Sequence, residues 1–109
     1  MKNLVIYLAV SVLTVWTATS LAAGNNGNYG QITIDSFRFS PQNITVKAGA
    51  TVTWTNKDDV PHTIVSTTKK FRSGVLDTDG KFSFTFSDPG TYEYFCSVHP
   101  QMMGKVIVQ

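Results

Sequence analysis

From Gln31 onward, apolar and polar positions alternate in short runs separated by turn residues. Ile32 and Ile34 alternate with Thr33 and Asp35, and Ile44 and Val46 with Thr45 and Lys47. Ala48-Gly49-Ala50 then turns the chain into Thr51-Val52-Thr53-Trp54-Thr55. Alternation with a period of two predicts half-buried strands. Asn56-Lys57-Asp58-Asp59 reads as a polar turn, and His62 to Thr67 as a further β-rich run. Between Thr68 and Gly80 the periodicity lapses, which predicts a surface connection with Phe71 and Leu76 tucked beneath it. Lys81 to Phe86 is the cleanest strand, with three phenylalanines on one face, and Asp88-Pro89-Gly90 supplies the turn after it. Thr91 to Cys96 returns as a strand, and Gly104 to Gln109 closes the chain as another. Seven or eight short strands with no helical stretch after the N-terminal segment predict an all-β fold, an antiparallel sandwich or barrel.

The N-terminal segment has a different pattern. Lys2 gives a positive start, Leu4 to Trp16 is apolar except for Ser11 and Thr14, and Ser20-Leu21-Ala22-Ala23 offers small residues for cleavage. Residues 1–23 therefore read as a signal peptide, with an uncleaved membrane anchor as the alternative. Residues 24–30 form an Asn/Gly-rich lead expected to be mobile until the first strand, and 31–109 form one domain. Without Lys2 the net charge is near +1, and no basic run exceeds Lys69-Lys70, which excludes a nucleic-acid footprint. An exported domain of this size often depends on disulfides, yet Cys96 is the single cysteine. A lone thiol in an oxidising compartment calls for a reason, and a bound metal is one that also protects the sulfur.

The run from Tyr94 to Gly104, YFCSVHPQMMG, supplies that reason. A thiolate at Cys96, an imidazole at His99 and a thioether at Met102 are ligand types that suit copper in both oxidation states. If Cys96 closes one strand and the next opens at Gly104, the loop between them folds back and can gather all three side chains around one ion. Tyr92, Tyr94 and Cys96 share one side of their strand, so tyrosines that face the core take the sulfur inward with them. A trigonal copper site needs a second imidazole, and His62, after Pro61, is the other histidine. Asn43-Ile44-Thr45 matches a glycosylation acceptor but falls within an expected strand.

On Val52-Thr53-Trp54-Thr55-Asn56, Pro61-His62, Cys96-x-x-His99-Pro100-x-Met102 and Gly104-Lys105-Val106, the chain resembles the cupredoxins, and among them the amicyanins. The resemblance runs from about Phe37 to the C-terminus. It implies a Greek-key antiparallel β-sandwich of about seven to eight strands that binds one copper ion through His62, Cys96 and His99, with a long weak bond to Met102. Plastocyanin and pseudoazurin place methionine five residues after the second histidine, where this chain has Gly104, so the shorter loop matches Met102 rather than Met103 to the axial ligand. Where the family commonly has asparagine after the first histidine, this chain has Thr63. Its N–H can still reach the sulfur, and Ser97 is a partner for its hydroxyl.

The resemblance further implies a monomeric periplasmic electron carrier, not an enzyme. Its partners, by analogy, are redox proteins such as a quinoprotein dehydrogenase and a c-type cytochrome, which meet an apolar surface around His99 formed by Pro61, Pro100, Gln101 and Met103. Lys57, Asp58, Asp59, Lys69, Lys70 and Arg72 are candidates for steering those encounters. The alternative function is a copper-handling protein that passes on the ion itself, for which Met102-Met103 offers adjacent thioethers. Other readings fit less well. An immunoglobulin-like sandwich lacks its second cysteine, a cysteine hydrolase lacks a third orienting residue, and structural zinc prefers more cysteine or histidine ligands. Multicopper enzymes require additional histidines.

Overall fold

The structure is a computed structural model and describes residues 28–109. The signal-peptide reading of 1–23 and most of the expected 24–30 lead lie outside the described residues. Eight strands follow one another: β1 (Tyr29–Asp35), β2 (Arg38–Ser40), β3 (Asn43–Val46), β4 (Ala50–Asn56), β5 (Val65–Ser66), β6 (Lys81–Phe86), β7 (Gly90–Phe95) and β8 (Met103–Val108). They form two four-stranded sheets, ordered β2-β1-β4-β6 and β3-β8-β7-β5. There is no helix among the described residues.

The alternation seen in the sequence is the alternation of burial. β1 buries Ile32 and Ile34, β4 buries Ala50, Val52 and Trp54, and β8 buries Val106 and Val108. Side chains from both sheets share one core, because each sheet has only one apolar face to cover. Trp54 is its centre, with the rings of Tyr94, Phe82, Phe71 and Phe86 at 5.4, 5.7, 5.8 and 6.4 Å. Phe71 and Leu76 are buried beneath the 68–80 connection, as its composition predicts.

Pairing directions are less uniform than alternation suggests. β1 pairs with β4, and β3 with β8, in parallel. The chain leaves the first sheet after β2, visits the second as β3, and returns as β4 alongside β1. Alternation fixes which face a strand buries and carries no information on its neighbour's direction. β2 went unpredicted because three residues with one buried side chain, Phe39, are too short to show a period. β1 starts at Tyr29, inside the glycine-rich lead, and Gly30 lies in the ladder opposite Val52, where a side chain has little room.

One end of the sandwich gathers the segments that carry the chemistry. β4 ends at Asn56 and β7 at Phe95, and β8 begins at Met103, so the 57–64 loop and the 96–102 loop share that end. β7 and β8 pair up to Phe95↔Met103, which makes residues 96–102 a hairpin loop.

Gly104 lies against Tyr94 in this hairpin. A Cβ there would meet Tyr94 Cζ at 2.6 Å and the Gln42 carbonyl oxygen at 2.8 Å, whereas at Gly30 the first obstacle is the flexible end of Ile44 at 2.9 Å. Gly104→Ala should therefore lower the unfolding free energy by about 2–3 kcal/mol, and Gly30→Ala by less. Urea titration reads both; an equal or larger loss at Gly30 contradicts the packing argument.

Candidate metal centre

Three side chains from two loops meet at this end. Cys96 follows β7 directly and continues its parity, so that with Tyr94 it points inward and is fully buried. His62 is also fully buried. Its backbone is fixed by a two-way bridge to Leu76, His62 N–H donating to Leu76 O at 3.1 Å and Leu76 N–H to His62 O at 2.8 Å. His99 is half-buried on the hairpin loop. The loop closes on itself, with Met102 N–H donating to His99 O at 2.9 Å and Cys96 N–H to Met102 O at 3.0 Å.

Both imidazoles turn Nδ1 toward the sulfur, at 3.7 Å for His62 and 3.9 Å for His99. The three ligand atoms lie within 4.8 Å of one another. As hydrogen bonds these distances are long. As ligand spacing they fit: metal–sulfur and metal–nitrogen bonds of about 2.3 and 2.0 Å, splayed at about 120°, separate nitrogen from sulfur by about 3.7 Å. Met102 is 4% exposed and belongs to the core cluster, whereas Met103 is 58% exposed.

The chemistry of the donor set agrees with metal binding. Burial pushes the Cys96 thiol up, but the Thr63 N–H, the His62 ring and the N–H and ring of His99 more than offset it. They hold the thiol down to about 6, against an ordinary 9, so the sulfur is a thiolate at neutral pH. Thr63 carries much of this. Its N–H lies 3.4 Å from Cys96 Sγ, its hydroxyl is 2.7 Å from Ser97 Oγ, and Ser97 N–H donates to that hydroxyl at 2.8 Å. The residue that departs from the family pattern thus ties together the two loops that supply the ligands.

Asp58 organises the other side. Its Oδ2 lies 3.0 Å from His62 Nε2 and accepts from Phe37 N–H at 3.0 Å, so that with a metal bound the imidazole would keep its proton on Nε2 and offer the Nδ1 lone pair to the ion. The Phe37 N–H and the His62 ring hold the Asp58 carboxyl below its ordinary value despite its desolvation. Asn56, fully buried, shapes the turn that presents Asp58: its amide donates to Val60 O at 2.9 Å and Leu76 O at 2.8 Å, and its Oδ1 accepts from Asp58 N–H at 2.9 Å.

The structure thus brings His62, Cys96 and His99 together and buries Met102 on the same loop. It corrects the reading of Asp58 as a steering charge: the side chain is buried against His62 and faces no partner. Sequence reasoning also missed Phe37, whose ring lies edge-on to both histidines at 5.7 and 4.9 Å. Its distance along the chain from either histidine leaves no local signal. For Asp58 the four-residue spacing to His62 was available, but within a turn such spacing has no fixed geometry.

The chain is similar to known proteins in both sequence and fold. The family described as the cupredoxin-like domain matches residues 5–108. An amicyanin of Paracoccus versutus is 36% identical over 81 residues, which cover 70% of this chain and 61% of that protein. Amicyanin-alpha of Methylorubrum extorquens is 35% identical over 89 residues, covering 72% and 71% of the two chains. The chain thus spans less than two thirds of the first of these relatives. Among solved structures, a purple cupredoxin from Nitrosopumilus maritimus superposes with a TM-score of 0.70 at 38% identity, covering 72% of this chain and 98% of that one. The Cu(I) form of an amicyanin variant gives 0.70 at 31% identity, covering 75% and 83%.

The lowered thiol sets a pH dependence for the metal-free protein. A group whose value is depressed on folding contributes stability that is fully present above the unfolded value and is lost as pH falls through the folded one. Unfolding free energy should therefore rise from pH 6 toward pH 9, and Cys96→Ser should flatten that rise. Denaturant titrations across this window test it, and identical slopes in the two proteins contradict it.

Proposed function

Because the chain belongs to the cupredoxin family, whose ion is copper, we propose that it is a small exported electron carrier in which His62, Cys96, His99 and Met102 hold one copper ion. The observation that carries this reading is the convergence of His62 Nδ1 and His99 Nδ1 on the Cys96 sulfur. Bound there, copper supplies a reversible one-electron couple, since thiolate, imidazole and thioether suit both of its oxidation states. The protein's part is to keep those donors in place whichever state is present. Hydrogen bonds pin the His62 and Cys96 backbones, Thr63 and Ser97 link the two loops, and the Thr63 N–H adjusts the electron density on sulfur.

His99 is the proposed exit for electrons, being the least buried member of the centre. Pro61, Pro100, Gln101 and Met103 are exposed and supply its docking surface. Transient redox encounters are small, so a patch of this kind suffices. A dehydrogenase and a c-type cytochrome in the periplasm are the proposed partners, met by a monomer released from its 1–23 leader. The competing role, a donor of the ion itself, favours exposed and adaptable ligands. Here Cys96 and His62 are fully buried and Met102 nearly so, which favours electron transfer.

An absorption spectrum tests the proposal: the copper-loaded protein should show an intense visible charge-transfer band that bleaches reversibly on reduction. A colourless protein that holds only Cu(I) and surrenders it readily would overturn it. Cys96→Ser should abolish the band and leave a folded domain by circular dichroism. Met102→Gln should retain copper with a shifted potential, while Met103→Gln leaves the potential unchanged; the reverse result in voltammetry would assign the thioether donor to Met103.

A further inference from the structure

The turn between β1 and β2 contains a residue that its backbone does not favour. β1 and β2 pair as a hairpin through Asp35↔Arg38, so Ser36 and Phe37 are its two loop residues. Both have positive φ, 51° and 58°. A two-residue hairpin with this geometry favours Asn-Gly, and a bulky aromatic in the left-handed region is an outlier. Such strain persists where surrounding contacts over-determine it, and it concentrates at functional sites.

The contacts here all lead to the metal centre. The Phe37 N–H is bonded to the same Asp58 oxygen that holds His62 Nε2. Its ring stands edge-on to His99 at 4.9 Å and 88°, and to His62 at 5.7 Å and 85°. The two histidines are not held alike. His62 has Asp58 on its outer nitrogen, whereas no hydrogen bond among the described residues engages Nε2 of His99. Beside Nδ1 facing Cys96, the His99 ring has two ring contacts among the described residues, with Phe37 and with His62, 5.0 Å away. Phe37 also walls a crevice of about 150 Å³ that reaches Met102.

We propose that Phe37 is a positioning residue for the metal centre. Its ring holds the His99 imidazole with Nδ1 toward the Cys96 sulfur, doing for His99 what Asp58 does for His62. The strained turn is retained because glycine, which suits its backbone, has no ring to offer. Only the electron-transfer readout below rests on the carrier reading of the preceding subsection.

The test compares the full chain with Phe37→Gly, Phe37→Leu and Phe37→Tyr. In the copper-free proteins, imidazole ¹⁵N relaxation should show His99 ordered in wild type and Phe37→Tyr, and mobile in the glycine and leucine variants, with His62 ordered in all four. In the copper-loaded proteins, electron self-exchange should fall about tenfold in the glycine and leucine variants, the rate effect of losing one aromatic contact, and return in Phe37→Tyr. Phe37→Gly suits the turn and so keeps the hairpin; if it fails to fold, Phe37→Leu decides by the same measurements. An ordered His99 ring in the variant without an aromatic overturns the proposal, as does a loss confined to thermal stability. Wild type that takes up no copper would overturn the carrier reading, while the copper-free measurement would still decide the role of Phe37.

Discussion

Keeping a thiolate inside a β-sandwich is the constraint on which this molecule turns. A buried charge without partners would take up a proton, and Cys96 avoids this through neighbours from two loops. The Thr63 N–H, the His62 ring and the His99 N–H and ring all face its sulfur. Each of these donors must itself be fixed, which explains why so much of this end of the sandwich is bonded internally. Thr63 is tied to Ser97, His62 to Leu76 and Asp58, and Asp58 in turn to Asn56 and Phe37. The network runs from the sulfur outward until it reaches regular strand.

The opposite demand comes from the core. Trp54 and Tyr94 fill the space beneath the centre with fully buried rings whose centroids lie 5.4 Å apart. Burial pushes the Tyr94 phenol up to about 12, an effect the neighbouring Trp54 indole partly counters. The phenol therefore stays neutral while the thiol, two residues further along the chain, is ionised. The core beneath the centre is mostly apolar and aromatic, while polar contacts gather around the sulfur and its neighbours.

Much of the architecture was legible because burial in a sandwich has a period that sequence can express. Ile32 and Ile34, Val106 and Val108, and the Phe82 to Phe86 stripe each announced their face, and the parity of Tyr92, Tyr94 and Cys96 placed the sulfur inward. Cys96, His99 and Met102 were visible together because one hairpin loop carries all three. What stayed hidden depends on contacts between distant segments. The parallel pairings of β1 with β4 and β3 with β8 follow from crossings between sheets that no local pattern encodes. Phe37 reaches the histidines through space, and Asp58 looked like one more charge in a polar turn because one of its two partners, the Phe37 N–H, lies twenty-one residues away.

A hairpin joins β7 to β8 at the end of the sandwich that carries the centre. Its ladder is complete up to Phe95↔Met103, so the seven residues between them form a closed insert on a finished scaffold. Three of the four donors therefore belong to this one segment, while the fourth, His62, comes from the 57–64 loop and is held by its bridge to Leu76. Chemistry and architecture are in this sense divided: one short insert carries most of the donors, and the ladder on which it stands is complete without it.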